Sequence, residues 1–360
     1  MIAPRTKTRV LVVDDSAVVR LILRRMIEAA GFEVVGTAVD GADAVEQAVR
    51  TQPDVITLDV QMPGMNGLEA LEELTKRTRA SILMVSSLTR KGAEVTLAAL
   101  EKGAFDYIPK TNGLNGEFER ELVRKLRLAS SYAKRLKALP RPEQEGTSFE
   151  SAQYIPLPNV RFRGDGNKEL VVIGSSTGGP RVLTQLLSKL PEDFPLAILV
   201  VQHMPPTFTR ALAERLDRDS PLRVREAQEG DTVTPGHVFV APGGKQMTVH
   251  RTSAGRLPEI RIRDGEISRE IYAPSIDITL LSVAEAYPGP CLGILLTGMG
   301  NDGRRGMQAI KEAGGVVVVQ DRKSCTVSGM VRACLEAGIV DAEVPPFYLA
   351  EVVQRIVGGL

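Results

Sequence analysis

The chain has 360 residues, 43% of them apolar, and 45 basic against 44 acidic side chains leave a formal charge of +1. That length exceeds the roughly 250 to 300 residues at which a single core stops growing, so two domains are expected. The balanced charge argues against a field that would draw the chain to nucleic acid or a membrane surface, and the absence of tryptophan, with 4% aromatics, argues against a base-stacking surface.

The three cysteines, Cys291, Cys325 and Cys334, lack CxxC spacing, which disfavours a disulfide framework and a zinc site. The first residues contain no apolar run of signal-peptide length, and no window approaches the roughly 18 apolar residues of a membrane span. A cytoplasmic protein without direct membrane insertion is expected.

From Arg9 the chain alternates short β-branched runs with amphipathic segments. RVLVVDD reads as a strand, and Ser16 to Ala30 as a helix with Val19, Leu23, Met26 and Ile27 on one face. EVVGTAV, Val55 to Leu58, SILMVSS and Asp106 to Ile108 read as further strands, so a doubly wound, parallel α/β sheet is predicted. In such a sheet the ligand site lies outside the carboxyl ends of the strands, where Asp14, Asp15 and Asp59 collect. Three carboxylates in one cleft repel one another unless a cation lies between them, and oxygen ligands of this kind suit Mg²⁺. Asp59 could then accept a phosphoryl group, since a carboxylate can form an aspartyl phosphate. The plainer alternative is three solvated acids at strand ends.

VDDSAVVR, LDVQMPGMNGLEAL, MVSSL and AFDYIPK, taken together, resemble the response-regulator receiver domain over its full, flavodoxin-like length. The resemblance implies Mg²⁺ binding at Asp14, Asp15 and Asp59, phosphorylation of Asp59, hydroxyl sensing by Ser86, an aromatic switch at Tyr107 and a phosphate contact from Lys110. Thr111 stands where that family usually has a proline.

Glu117 to Lys137 continues at helical spacing, and Leu139 to Asn167 then loses all periodicity and gains Pro140, Pro142, Pro156 and Pro158. The expected division is a receiver over 8–128, a helix extension and linker over 129–166, and a second domain over 167–360.

The second half is again α/β. VVIGSSTGGP reads as a buried strand turning into a helix at Gly178, Gly179 and Pro180. LAILVVQ is a strand leading to His203, MPPTFTRALAERL a helix, HVFVAP, QMTVH and EIRIR short strands, and Ser275 to Ala286 a helix. CLGILLTG is a strand running into MGNDGRRGM and a helix; VVVVQ, a helix around Val327 to Leu335 and another from Pro346 to Val357 complete the chain.

Three loops, GSSTGGP, QHMPP and TGMGNDG, each follow an apolar strand, so a parallel sheet would carry all three on one edge. That edge would collect a hydroxyl (Ser175, Ser176 or Thr177), the imidazole of His203 and the carboxylate of Asp302. These are the nucleophile, base and orienting acid that acyl transfer needs. Each has a plainer explanation: a phosphate-binding turn for GSSTGGP, a packed histidine beside Pro205, and a helix N-cap for Asp302. Their concurrence at three strand ends favours catalysis. His237 and His250 fall at strand ends, where hydrogen-bonding structural roles are expected.

IGSSTGGP, VQHMPPTFT, GHVFVAPGGKQM, APSIDITLLSVA, GILLTGMGNDGRRGM and GGVVVVQD resemble the catalytic domain of the chemotaxis protein-glutamate methylesterases (CheB). The resemblance implies a mainly parallel sheet, Ser176 as nucleophile, His203 as base, Asp302 as orienting acid, and backbone oxyanion donors at Thr177 and Met299. It further implies that methyl-accepting chemotaxis receptors are the substrate, that a chemotaxis histidine kinase is the phosphodonor, that glutamines are deamidated, and that the catalytic domain needs no cofactor. Ser175 stands where the family often has alanine. A competing expectation is a non-enzymatic receiver protein acting by phosphorylation-dependent binding, against which Ser176, His203 and Asp302 count. A nucleotide-binding reading of GSSTGGP lacks an acidic ribose partner about 20 residues on.

Overall fold

The first half forms a five-stranded parallel sheet from β1 (Arg9–Val13), β2 (Glu33–Ala38), β3 (Val55–Asp59), β4 (Ser81–Ser87) and β5 (Asp106–Lys110). The strand order is β2-β1-β3-β4-β5, so the winding reverses between β1 and β3. A crevice opens at such a reversal, outside the carboxyl ends of the two strands. β3 is buried along its whole length, as expected of a strand covered by helices on both faces. The computed structural model describes residues 7–87, 89–110, 114–138, 169–252, 257–264, 272–287 and 290–358; Thr111 and the linker at 139–166 lie outside them.

The helices between these strands are α1 (Ala17–Ala29), α2 (Gly41–Thr51), α3 (Gly67–Arg77) and α4 (Arg90–Glu101). α1 begins where the Ser16 hydroxyl accepts from the Val19 N–H, and it buries Leu23 and Ile27. Burying two such side chains one turn apart stabilises the packed helix by about 1.5 to 3 kcal/mol each. The last helix, α5 (Gly116–Ala138), buries Phe118, Leu122, Leu126, Ala129 and Ala133. Its final turns still touch this unit, through Ser130 Oγ at 2.7 Å from Thr8 Oγ1 and Lys137 Nζ at 2.6 Å from Asp54 Oδ1.

The chain divides into two compact units. The second is built on seven parallel strands: β6 (Leu170–Ser175), β7 (Ala197–Gln202), β8 (Arg223–Glu226), β9 (His237–Val240), β12 (Cys291–Leu295), β13 (Val316–Gln320) and β14 (Ala342–Val344). Between β9 and β12 the chain makes an antiparallel hairpin of β10 (Lys245–His250) and β11 (Glu259–Asp264). The sheet order is β14-β13-β12-β6-β7-β9-β8. β6 is therefore the reversal point, with β7 on one side and β12 on the other.

Helices α6 (Gly179–Leu187), α7 (Pro206–Asp219), α8 (Ile276–Ala286), α9 (Arg304–Glu312), α10 (Gly329–Glu336) and α11 (Leu349–Gly358) cover the sheet. Ile276, Leu280 and Val283 of α8, Met307 and Ile310 of α9, and Met330 and Cys334 of α10 share one core with β6, β7, β12 and β13. Close approach demands glycine here: a Cβ at Gly306 would stand 2.4 Å from Leu280 Cβ, and one at Gly174 would stand 2.5 Å from Ile276 Cγ2.

Two strands differ from the sequence expectation, β8 and β14, which were not anticipated. Both are sheet edges. β8 buries only Val224 and β14 has three residues, so neither carries the apolar run that marks a central strand. The closing helix starts at Leu349, after a 3₁₀ turn over Pro346–Tyr348.

Candidate active site

In the first unit, the neighbouring strands β1 and β3 bring Asp14 and Asp59 to the same edge. One carboxylate oxygen from each of Asp14, Asp15 and Asp59 lies within 4.8 Å of the others. Lys110, at the end of β5, places Nζ 2.8 Å from Asp14 Oδ2 and 2.8 Å from Asp59 Oδ2. Burial, with the charge of Asp14, lifts Asp59 above its ordinary value. The pull of Lys110 opposes this and is the weaker. Burial alone would lower Lys110, but its bonds to both aspartates hold the ammonium above its usual range. Asp14 and Asp59 are buried and Asp15 is exposed, so the pocket offers hard oxygen donors with one open side. These residues fit Mg²⁺.

Ser86, on β4, and Tyr107, on β5, are engaged with other partners. Ser86 is buried, accepts from Thr96 Oγ1 at 2.7 Å, and donates toward Gly92 O at 3.3 Å. Tyr107 is packed inside, with Lys125 Nζ 5.0 Å from its ring centroid and 2.6 Å from its carbonyl oxygen. Lys125 is itself buried and paired with Asp106 at 2.9 Å. Thr96 and Lys125 were not singled out from sequence, where each is one more residue of an amphipathic helix.

In the second unit, the reversal at β6 sets three adjacent strands side by side, and the loops after β6, β7 and β12 carry Ser176, His203 and Met299 to Asp302. The two serines after β6 have different surroundings. Ser175 is fully buried and donates to Gln202 Oε1 at 2.6 Å, whereas Ser176 is partly exposed. Gln202, the last residue of β7, also donates through Nε2 to Ser176 O at 3.0 Å and His203 O at 3.2 Å. It ties the two loops together. A Cβ at Gly179 would stand 2.4 Å from Gln202 Oε1, which is why this turn takes glycine. Gly178 adopts φ 82°, a conformation that also favours glycine.

The loop after β12 lies against the serine. A Cβ at Gly298 would stand 2.8 Å from Ser176 Cβ, and the Ser176 N–H donates to Thr297 O at 3.0 Å. Thr177 is buried beside it, its carbonyl accepting from Thr297 Oγ1 at 2.9 Å, and Met299 follows Gly298 directly.

His203 Nε2 lies 2.8 Å from Asp302 Oδ2, both side chains being 8% exposed. The other ring nitrogen, Nδ1, is buried without a hydrogen-bond partner among the described residues. Asp302 does cap a helix, but a different one from that expected: it accepts from the Ile276 and Asp277 N–H groups at 2.8 and 2.9 Å, at the start of α8. Ser275 Oγ donates to Oδ1 at 3.0 Å and Gly303 N at 3.0 Å. Burial would raise Asp302, yet the bond and charge of His203, with these backbone donors, hold it below the ordinary carboxylate value.

Tyr272, which sequence reasoning passed over, stacks on His203 with ring centroids 4.0 Å apart and planes 7° from parallel. His237 and His250 bond locally, to Pro235 O at 3.1 Å and Thr248 Oγ1 at 3.0 Å. The cysteines are buried, and burial pushes Cys291 and Cys334 each up to about 12. Neither Cys291 nor Cys334 is a thiolate at neutral pH. A cleft of about 430 Å³ opens beside the loop after β12, with Asn301, Arg304 and Arg332 on its walls.

Set beside known proteins, the two units belong to a response regulator whose second domain is a hydrolase. Residues 10–117 match the response regulator receiver domain family, and residues 171–353 match the CheB methylesterase family. The chain belongs to the CheB methylesterase family of chemotaxis enzymes. A protein-glutamate methylesterase/protein-glutamine glutaminase of Archaeoglobus fulgidus is 42% identical over 96% of this chain and 97% of its own. One of the same description from Geobacter sulfurreducens is 40% identical over 98% of each chain. The crystal structure of the Thermotoga maritima CheB methylesterase catalytic domain is 39% identical, with TM-score 0.49, over 53% of this chain and 98% of that one.

Proposed function

We propose that this chain is a serine hydrolase that cleaves glutamate γ-methyl esters on methyl-accepting chemotaxis receptors and deamidates particular receptor glutamines. The observation that carries the reading is the imidazole of His203, bonded through Nε2 to the buried Asp302 carboxylate, at the end of β7, the strand paired with the one that leads into Ser176. Ser176 Oγ attacks the ester carbonyl carbon and His203 Nδ1 takes the hydroxyl proton. The C–O bond to the methoxy group then breaks, that proton leaves with it as methanol, and an acyl-enzyme remains. Water, deprotonated by the same nitrogen, attacks the acyl carbon; glutamate is released and Ser176 regains its proton. With glutamine the leaving group is ammonia. Asp302 stays ionised throughout and stabilises the imidazolium. The Thr177 and Met299 N–H groups receive the oxyanion, a contribution of about 3 to 4 kcal/mol per donor in other hydrolases. The polypeptide bearing the ester would lie along the cleft walled by Arg304 and Arg332.

Asp59 is the proposed phosphoacceptor, with Asp14, Asp15 and Asp59 holding Mg²⁺ and a chemotaxis histidine kinase as donor. Bound there, the ion supplies charge neutralisation for the transferring phosphoryl group. Lys110 already reaches Asp59 and would follow the new charge of about −1.5 to −2. Ser86 would leave Thr96 for a phosphoryl oxygen, and the inward Tyr107 is the side chain packed where that change is read. By this reading the unmodified receiver restricts the catalytic cleft and phosphorylation releases it.

Methanol release from methylated receptor membranes tests the chemistry. Ser176→Ala is expected to abolish it; appreciable residual turnover would transfer the nucleophile's role to another group and overturn the reading.

A further inference from the structure

We infer that Tyr272 is a positioning residue for the His203 imidazole, an inference that rests on the serine-hydrolase reading above. Among the described residues the ring of His203 has one hydrogen bond, Nε2 to Asp302 Oδ2, and Nδ1 has none. A single bond at one edge fixes a direction and leaves the ring free to turn about the line of that bond. A face contact removes this freedom. Tyr272 supplies one, at 4.0 Å between centroids and 7° between planes, so bond and stack together determine where Nδ1 points.

Tyr272 is anchored in turn. Its carbonyl accepts from Gln246 Nε2 at 2.8 Å, and Gln246 Oε1 accepts from the Ser275 N–H at 2.8 Å. Ser275 Oγ then donates to Asp302 Oδ1 at 3.0 Å. Residues 272 to 277 thus form one strap that holds the plane of the imidazole through Tyr272 and its carboxylate partner through Ser275, Ile276 and Asp277. The electron-rich ring face is also the right neighbour for an imidazole that becomes positive as it takes the serine proton. That interaction strengthens along the reaction, so its loss should fall on turnover and spare substrate binding.

The test compares full-length Tyr272→Leu, Tyr272→Phe and Ser176→Ala. Tyr272→Leu is expected to lose kcat by about tenfold or more with KM within about twofold, since small displacements of a base are costly. Labelling of Ser176 by a fluorophosphonate, which needs the same base, should slow in proportion. Tyr272→Phe keeps the ring and should restore both rates. Should the leucine variant fail to fold, Tyr272→Trp against Tyr272→Gln makes the same comparison of a planar ring with none. Parent-level kcat without the ring, a rise in KM alone, or a Phe variant as slow as the Leu variant would each overturn the inference. Residual turnover in Ser176→Ala is the separate result that would remove the reading beneath it.

Discussion

Asp302 receives five donors: His203 Nε2, Ser275 Oγ and the N–H groups of Ile276, Asp277 and Gly303. A buried carboxylate with so many donors has no reason to take a proton, and its value stays below the ordinary 3.8 although burial pushes the other way. A depressed folded-state value stabilises the fold above the unfolded value, and that stabilisation disappears as pH falls through the folded one. The destabilisation by Asp302→Asn should therefore be largest near neutral pH and shrink as pH drops below about 4. Denaturant unfolding of the two proteins between pH 7 and 3 measures it; a gap that widens in acid would contradict the assignment. At the same scale the adjacent serines separate. Ser175 gives its hydroxyl to Gln202, and Ser176 stands at the partly exposed turn.

Helices α8 and α9 cap each other. Asp302, just before α9, accepts from the first N–H groups of α8, while Asp277, in the first turn of α8, accepts from the Gly306 N–H of α9 at 2.8 Å. Arg305 Nε adds a bond to Asp277 Oδ2 at 3.0 Å. Each helix thus supplies the acid that its neighbour's N-terminus attracts. Asp277→Ala should cost about 1 to 2 kcal/mol, the usual worth of such a cap, and lower the unfolding midpoint of the second unit. Calorimetry reads this directly, and an unmoved midpoint would show that Asp277 is replaceable there. The element pattern of this unit was largely visible in sequence because its central strands are unbroken apolar runs. β8 and β14 escaped because an edge strand needs neither length nor a buried second face.

In each of the two α/β units the proposed reactive residues lie at the point where strand order reverses, β1/β3 in one and β6 in the other. If the receiver controls the hydrolase, an acyl phosphate donor with Mg²⁺ should raise methanol release by the parent and leave Asp59→Asn at its basal rate. Equal stimulation of both proteins would remove Asp59 from the control.

The two α/β halves, the Asp14, Asp15 and Asp59 cluster, and the convergence of a hydroxyl (Ser175, Ser176 or Thr177) with His203 and Asp302 were legible in the sequence, because strand-end residues in parallel sheets share an edge whatever the detailed packing; the choice of Ser176 among the hydroxyls came from the family resemblance. The sequence could not separate capping from catalysis for Asp302, since both place an acid before a helix, and only the tertiary structure shows one carboxylate bonded to α8 and to His203 together. Nor could it find Tyr272 or Gln202 as supports of the site. Their contacts to His203 and Ser176 join residues 69 and 26 positions apart, and no local period encodes a stack or a hydrogen bond across that distance.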